Sequence, residues 1–216
     1  RAYTAGVGKK LISTTYELKG IVQGIGFRPA LHRLATAAGL GGWIQNRSGT
    51  VRLVLEGERE HIEAFMRDLP AKLPPQAKVS RCLTVASSPL PLGSHPTPFR
   101  ILESSAEGSP TLTIPPDLAI CAACREEIFN PNDRRYGYAF TTCTACGPRY
   151  TVVNGVPYDR ERTTLAAFPL CAECLDEYHD PKGRRFHAES IACPKCGPSL
   201  SLLDRSGKHI NGDPLR

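Results

Sequence analysis

The chain has 216 residues, of which 41% are hydrophobic and 22% are charged, a composition that excludes wholesale disorder and predicts two small domains. No apolar run approaches the roughly 18 to 20 residues of a membrane span, and the start of the chain lacks the apolar segment of a secretion signal. We therefore expect a soluble, cytoplasmic protein without a membrane partner. Its formal net charge of +6 is weak evidence for a nucleic-acid partner, because cysteine thiolates offset it.

Residues 14–104 are predicted to form the first domain, after a short tail of residues 1–13. Hydrophobic residues alternate with polar ones, or recur at helical spacing, in segments that turn residues separate. In chain order, the predicted elements are a strand at 16–19, a helix at 29–39, a hairpin around the turn Arg47–Gly49, a helix over 62–69 that ends at Pro70, and strands at 79–85 and 99–101. This β-α-β-β-α-β order predicts an α+β, ferredoxin-like domain with two helices on one face of a sheet.

A glycine-rich turn, Gln23–Arg28, lies between the first predicted strand and the first helix. Gly24 and Gly26 permit backbone angles that point successive N–H groups toward one anion. The helix N-terminus attracts negative charge, and the Arg28 guanidinium suits phosphate oxygens. The same pattern also fits a tight turn without a ligand, so the residues alone leave both interpretations open.

The segment from Gly20 to Gly57, GIVQGIGFRPALHRLATAAGLGGWIQNRSGTVRLVLEG, resembles the acylphosphatase family. Its start matches the family motif G-x-V-Q-G-V-G-F-R, with Ile25 in place of valine. The resemblance implies that Arg28 is catalytic and that Asn46 positions the attacking water, although Asn46 also fits a purely structural role before a turn. It further implies a phosphate site made of Gln23, Gly24, Ile25, Gly26, Phe27 and Arg28. Acyl phosphates are already activated, so stabilised charge and an oriented water suffice for their hydrolysis.

An internal repeat with a period of 50 residues follows a predicted linker, residues 105–116. The cysteines at 121, 124, 143 and 146 recur at 171, 174, 193 and 196, and Arg134–Arg135 recurs as Arg184–Arg185. We predict one repeat over residues 117–166 and a second over 167–200. Residues 201–216 are then predicted to be a linker toward a further domain.

Eight of the nine cysteines form four Cys-x-x-Cys pairs, a spacing that indicates metal binding in a cytoplasmic chain rather than structural disulfides. Two pairs supply the four thiolates of a structural zinc site, and a duplicated unit should carry one complete site. We therefore predict two zinc ions, one bound by Cys121, Cys124, Cys143 and Cys146 and one by Cys171, Cys174, Cys193 and Cys196. Iron, in an iron–sulfur or rubredoxin-like site, is the chemical alternative. His179 and His187 are not predicted as ligands, because their repeat counterparts are Phe129 and Gly137.

Metal binding would change the charge balance of the chain. Eight thiolates and two Zn²⁺ reduce the formal charge from +6 to about +2 (6 − 8 + 4), which makes a zinc-finger nucleic-acid module the weaker interpretation. The paired arginines of both repeats are predicted to lie on a solvated or interface face. The remaining cysteine, Cys82, is predicted to pack inside an apolar strand.

The succession of an acylphosphatase module and four Cys-x-x-Cys pairs resembles the carbamoyltransferase family of nickel–iron hydrogenase maturation. The resemblance implies that the first domain cleaves carbamoyl phosphate to carbamate and phosphate. Further domains, absent from this sequence, would use ATP and Mg²⁺ to pass the carbamoyl group to the partner protein HypE for cyanide-ligand synthesis. A general acylphosphatase with a zinc-finger tail is the alternative.

Overall fold

The structure is a computed structural model that describes residues 10–108 and 113–212. Its first domain contains, in chain order, β1 (Leu11–Ile21), α1 (Phe27–Ala37), β2 (Gly41–Arg47), β3 (Thr50–Glu58), α2 (Arg59–Lys72), β4 (Lys78–Pro89) and the short β5 (Arg100–Ile101). The predicted β-α-β-β-α-β order is confirmed, and β5 corresponds to the further strand predicted at 99–101.

The five strands form one sheet in the order β4-β1-β3-β2-β5. All neighbouring strands are antiparallel except β2 and β5, which are parallel. Every second residue of β1 from Ile12 to Leu18 is buried. The hydrophobic ones among them share one core with Ile44 of β2, Leu31 of α1 and Ile62 of α2. A fully buried aliphatic side chain contributes about 1.5 to 3 kcal/mol, so this core fixes the strand and helix ends that carry the candidate site.

Helix α2 continues to Lys72, so the prediction that it ends at Pro70 is wrong. Leu69 is buried in the core and anchors the helix up to this point. Pro70 removes one N–H bond to the preceding turn. Only two residues of the helix follow it, so the loss falls in the last turn, where carbonyl groups lack helical partners in any case.

Cys82 is exposed, so the prediction that it packs inside an apolar strand is wrong. It lies in β4, the edge strand beside β1. The helices contact β2 and β3, so alternation in β4 creates no buried face against the described residues. Leu83 and Val85 of the same strand are 39% and 52% exposed.

After β5, the chain continues along the free edge of β2. The N–H group of Ser105 donates to Asn46 O at 2.9 Å, and the N–H group of Ser48 donates to Glu107 O at 3.1 Å. The segment predicted to be a linker therefore begins as part of the sheet edge, and it fixes the backbone beside Asn46.

The second region contains two short helices, α3 (Ala122–Phe129) and α4 (Ala172–His179), which begin directly after Cys121 and Cys171. Short 3₁₀ turns lie between Tyr150 and Ala167. Within residues 201–216, where the sequence predicts a linker, β6 (Leu202–Leu203) and β7 (His209–Ile210) form a hairpin. None of the helices in the described ranges is long and apolar enough to cross a membrane.

Candidate active site and metal clusters

The turn before α1 and the first two residues of that helix, residues 23–28, are together called the cradle loop here. Gly24 and Gly26 have φ angles of 71° and 72°, which residues with a Cβ rarely adopt. Gly26 is also the N-cap of α1, so the positive end of the helix faces the loop. Within the described residues, no hydrogen bond uses the N–H groups of Gly24, Ile25 and Gly26. Free donors beside a helix N-terminus are the features of an anion site.

Arg28, the last residue of the cradle loop, contacts Asn46 of β2. Both are buried, with 8% and 1% of their surface exposed. In the amide orientation that satisfies its hydrogen bonds, Asn46 Oδ1 accepts from Nε and Nη2 of Arg28 at 3.2 Å each. Asn46 lies inside β2 opposite Val51 rather than in the turn, so turn geometry does not require an asparagine at this position.

The other side chains of the cradle loop have structural contacts. Gln23 Nε2 donates to the carbonyls of Arg47 at 2.8 Å and Thr50 at 2.9 Å, which ties the loop to the β2–β3 hairpin. Ile25 and Phe27 are each 1% exposed in the core. These three predicted phosphate-binding residues can therefore serve a bound anion through their backbone N–H groups.

The second region closes the cradle loop from the opposite side. A cavity of about 20 Å³, little more than one water molecule needs, lies between the two surfaces. From the second region, the cavity wall contains Thr144, Arg149, Tyr158, His187, Ala188 and Glu189. Tyr158 is 2% exposed, and its buried hydroxyl has no hydrogen-bond partner among the described residues.

Two carboxylates of the second region neutralise Arg28. Its Nη2 donates to Glu189 Oε1 at 2.8 Å and to Asp159 Oδ1 at 3.1 Å. The other contacts of Glu189 come from the second region itself: the Tyr178 hydroxyl donates to Oε2 at 3.0 Å, and the N–H group of Arg160 donates to the same atom at 3.1 Å. Burial raises the pKa of Glu189, while the Arg28 charge opposes this rise. The carboxylates thus lie beside Arg28, where an anion would bind.

The second Cys-x-x-Cys turn of the first repeat, within Cys143–Arg149, packs directly on the cradle loop. Arg149 Nε donates to Gly24 O, and Nη2 of the same guanidinium donates to Cys143 O at 3.1 Å. A Cβ added at Gly26 would lie 2.9 Å from Cβ of Thr144, which is closer than carbon atoms can approach without a shift. The first cysteine cluster and the cradle loop are therefore coupled by direct contact.

The eight paired cysteines form two clusters, in each of which all Sγ atoms lie within 4.8 Å of one another. The clusters are Cys121, Cys124, Cys143 and Cys146, and Cys171, Cys174, Cys193 and Cys196. Neighbouring Sγ atoms lie 3.6 to 3.8 Å apart. A tetrahedron with Zn–S bonds of about 2.3 Å has edges of about 3.8 Å, whereas a disulfide needs about 2.0 Å. Both clusters are therefore compatible with zinc, one in each repeat.

Each cluster receives a hydrogen bond from an arginine of the other repeat. Arg134 Nη2 donates to Cys174 Sγ at 3.2 Å, and Arg184 Nη1 donates to Cys124 Sγ at 2.9 Å. Four thiolates around one Zn²⁺ carry a net charge of −2, so a guanidinium donor stabilises the occupied cluster. Each repeat thus supplies a hydrogen-bond donor to the cysteine cluster of the other.

The second arginine of each pair lies between the repeats. Arg135 and Arg185 are 1% and 4% exposed, and Arg135 donates to both carboxylate oxygens of Glu177 at 3.0 and 2.6 Å. Arg185 binds Glu127 in the same way. Burial raises the pKa of Glu127, but the hydrogen bonds from the arginines outweigh it and hold that pKa below its usual value. Of the two settings predicted for the paired arginines, a solvated face or an interface face, the structure shows the interface, because these side chains lie between the two repeats.

Two family models match the chain. One, described as acylphosphatase, matches residues 14–95, and one, described as HypF finger, matches residues 120–153 and 170–203. A carbamoyltransferase HypF from Synechocystis sp. is 44% identical over 158 residues, which make up 73% of this chain and 20% of the relative.

This chain belongs to the HypF family.

A crystal structure of full-length HypF in the phosphate- and nucleotide-bound form is similar to this chain with a TM-score of 0.80 and 34% sequence identity, over 93% of this chain and 26% of that one. An acylphosphatase from Cupriavidus metallidurans is 42% identical over 71 residues, which cover 32% of this chain and 74% of the relative. The chain spans about a fifth of the length of the curated HypF relative from Synechocystis. It contains an acylphosphatase domain and two HypF fingers.

The cavity wall includes residues that the amino-acid sequence alone did not identify as functional. The repeat itself offers only a weak signal for some of them. His187–Glu189 stands where the first repeat has Gly137–Ala139, but many other positions between the paired cysteines also differ between the repeats. Tyr158 and Asp159 give no such signal, since they lie between the two predicted metal sites.

Proposed function

We propose that this chain hydrolyses carbamoyl phosphate to carbamate and phosphate, as the first step of a HypF carbamoyltransferase. The observation that carries the proposal is that Gly24 and Gly26 of the loop, Arg28 and Asn46 line one small cavity, beside loop N–H groups that make no hydrogen bond within the described residues. The resemblance to acylphosphatases assigns phosphate binding and water orientation to the same residues. The name carbamoyltransferase, which the HypF relatives bear, favours a carbamoyl group over other acyl groups.

In the proposed reaction, the cradle-loop N–H groups and Arg28 hold the phosphoryl oxygens and stabilise the charge that develops on them. Asn46 orients a water molecule toward the phosphorus atom. Attack by this water forms a new P–O bond and breaks the bond from phosphorus to the carbamoyl oxygen. Carbamate leaves with the electron pair, so the chain needs no covalent intermediate.

The wider role belongs to the whole enzyme rather than to this chain. We propose that carbamate is passed to ATP- and Mg²⁺-dependent domains, which transfer the carbamoyl group to HypE for the cyanide ligands of nickel–iron hydrogenases in the cytoplasm. The two zinc ions have a structural role in this proposal. They would hold the fingers in place over the cradle loop.

Steady-state kinetics on two variants test the proposed hydrolysis. Arg28→Ala removes charge-assisted hydrogen bonds worth about 1.5 to 3 kcal/mol each, so both kcat and KM for carbamoyl phosphate should deteriorate. Asn46→Ala should lower kcat strongly and leave KM nearly unchanged, because an oriented water matters mainly in the transition state. Phosphate release measures both parameters, and circular dichroism checks folding.

Asn46→Asp is the matched control, since it preserves the size of the side chain and removes its amide donor. Arg28→Ala with parental turnover would show that hydrolysis occurs elsewhere in the protein. If Asn46→Ala changes only KM, Asn46 binds substrate and does not orient water. Equal turnover of carbamoyl phosphate and other acyl phosphates by the parent would favour a general acylphosphatase.

A further inference from the structure

The duplicated finger provides an internal comparison between two copies of one fold. Tyr178 and Glu189 of the second repeat correspond to Ile128 and Ala139 of the first. In the second repeat the Tyr178 hydroxyl donates to the Glu189 carboxylate at 3.0 Å, whereas Ala139 is exposed. The first repeat folds without this polar pair, so the finger fold does not require it.

The polar pair faces the cradle loop of the first domain. Glu189 is 6% exposed, lines the cavity and contacts Nη2 of Arg28 at 2.8 Å. Asp159 Oδ1 and the carbonyl oxygen of Tyr158 lie on the same side, at 3.1 and 3.4 Å from the same nitrogen. The surface opposite the cradle loop therefore presents several hydrogen-bond acceptors.

The acyl group of a bound substrate must face this surface. With the phosphoryl group on the N–H groups of the cradle loop, the rest of the molecule extends toward the second region. The acyl group of carbamoyl phosphate ends in an NH₂ group with two N–H donors, whereas acetyl phosphate ends in a methyl group with none. The acceptors of the second region can accept hydrogen bonds from the NH₂ group. Against a methyl group they would be left unpaired, which makes binding of acetyl phosphate less favourable.

We propose that Glu189 determines substrate specificity by accepting an N–H hydrogen bond from the NH₂ group of carbamoyl phosphate. This inference rests on the proposed hydrolysis at the cradle loop. The cavity of about 20 Å³ is too small for the substrate while Arg28 contacts Glu189. Arg28 therefore turns to the phosphoryl group, and Glu189 remains in place because Tyr178 and Arg160 hold it independently.

Competing substrates test the inference. We would measure kcat/KM for carbamoyl phosphate and for acetyl phosphate with the parent, Glu189→Gln and Glu126→Gln. The parent should prefer carbamoyl phosphate, and Glu189→Gln should lower that preference about tenfold or more, as expected for a hydrogen bond to a charged group. Glu126→Gln is the matched control, because Glu126 is an exposed carboxylate in the helix of the first finger.

The loss of kcat/KM for each of the two substrates shows whether Glu189 determines specificity or only positions Arg28. If Glu189→Gln lowers kcat/KM equally for both substrates, Glu189 only positions Arg28 and the inference is wrong. Tyr178→Phe serves as a second variant with preserved packing, and it should reduce the same preference by a smaller factor. An unchanged preference in both variants would also overturn the inference.

A binding measurement separates this inference from the proposed hydrolysis. Phosphonoacetamide and acetonylphosphonate are non-hydrolysable analogues that differ in an NH₂ and a methyl group, and calorimetry can compare their affinities. The parent should bind phosphonoacetamide more tightly, and Glu189→Gln should remove most of the difference. Equal affinities in the parent would overturn the specificity role even if carbamoyl phosphate is hydrolysed. If the analogues show the expected difference in affinity but no phosphate is released from carbamoyl phosphate, the proposed hydrolysis is contradicted instead.

Discussion

Arg28 shares its charge with the buried Glu189 and the partly exposed Asp159, and this arrangement has a consequence for substrate binding. Removing one partner of a buried ion pair leaves an uncompensated charge, which costs about 3 to 5 kcal/mol. When Arg28 turns to a phosphoryl group, Glu189 loses this partner and keeps the donors of Tyr178 and Arg160, so a further donor would stabilise its charge. The NH₂ group of carbamoyl phosphate can supply that donor, so the ion pair itself favours a substrate with an N–H group.

His187 gives a prediction about the pH dependence of stability. Its φ of 50° lies in the left-handed region, and burial, followed by the Arg28 charge, lowers the pKa of its imidazole to about 4. The folded protein therefore favours the neutral ring, and the unfolded chain binds the proton more readily between about pH 6.5 and 4. The free energy of unfolding should fall as the pH falls through this window.

His187→Asn is the matched variant, because asparagine tolerates the left-handed backbone and does not titrate. Between pH 6.5 and 5, the parent should lose about 1 to 2 kcal/mol more stability than this variant, given 1.36 kcal/mol per unit of pKa difference. Urea unfolding at the two pH values measures the difference. Parallel losses in the two proteins would show that His187 does not contribute to the pH dependence.

At the scale of elements, alanine substitutions at two glycines can test the contact between the cradle loop and the first finger. Gly26 and Gly39 have similar φ angles of 72° and 66°, but a Cβ meets Thr144 at 2.9 Å only at Gly26, and nothing within 4 Å at Gly39. Gly39→Ala should cost about 1 to 2 kcal/mol, from backbone strain alone. Gly26→Ala should cost clearly more, because it also pushes the finger away.

Urea unfolding of both variants measures this difference. A double variant with Thr144→Gly removes the colliding Cβ, so the extra cost of Gly26→Ala should shrink in that background. Equal costs at the two glycines, with no effect of Thr144→Gly, would mean that the finger does not press on the cradle loop.

An arginine of each repeat donates a hydrogen bond to a cysteine of the other repeat. A substitution of that arginine in the second repeat should therefore weaken metal binding by the first cysteine cluster. Arg184 donates to Cys124 Sγ at 2.9 Å, and removing a group that hydrogen-bonds a metal ligand typically lowers metal affinity 10- to 100-fold. Arg184→Ala should therefore release one of the two zinc equivalents at a lower chelator concentration than the parent does. Arg125→Ala, an exposed arginine of the first repeat, is the control and should release zinc like the parent.

Chelator titrations with a metal-sensitive dye follow the release. If Arg184→Ala releases both equivalents together at the parental concentration, the arginine does not stabilise the cluster.

The elements differ in how far the sequence predicts them. Gly24, Gly26 and Arg28 are adjacent, so their backbone angles and charge predict an anion site without tertiary information. Glu189 reaches Arg28 across 161 residues, and nothing near it in the sequence shows which surface it will meet. The failure at Cys82 has the same origin, because alternation predicts a buried face only when a helix covers it.

At the scale of the whole molecule, the two domains should respond differently to metal removal. Structural zinc provides much of the folding free energy of small modules, whereas the first domain has its own core of buried residues. Chelation should therefore unfold the two fingers and leave the first domain folded. The single tryptophan, Trp43, lies in β2 of the first domain, so its fluorescence reports on that domain alone.

Metal analysis should find two zinc ions per chain before chelation. Circular dichroism should then show loss of structure on chelation while Trp43 fluorescence stays unchanged. Loss of the native Trp43 signal together with the metal would contradict independent folding of the first domain, and iron in place of zinc would contradict the metal assignment.

The most direct test of the central claim, that the fingers close an anion site built by the cradle loop, is a crystal structure of the whole chain with bound phosphate. We expect phosphate on the N–H groups of Gly24, Ile25 and Gly26, with Arg28 turned to it and away from Glu189. Glu189 should still accept from the Tyr178 hydroxyl. Phosphate bound elsewhere, with Arg28 still paired to Glu189, would contradict the claim.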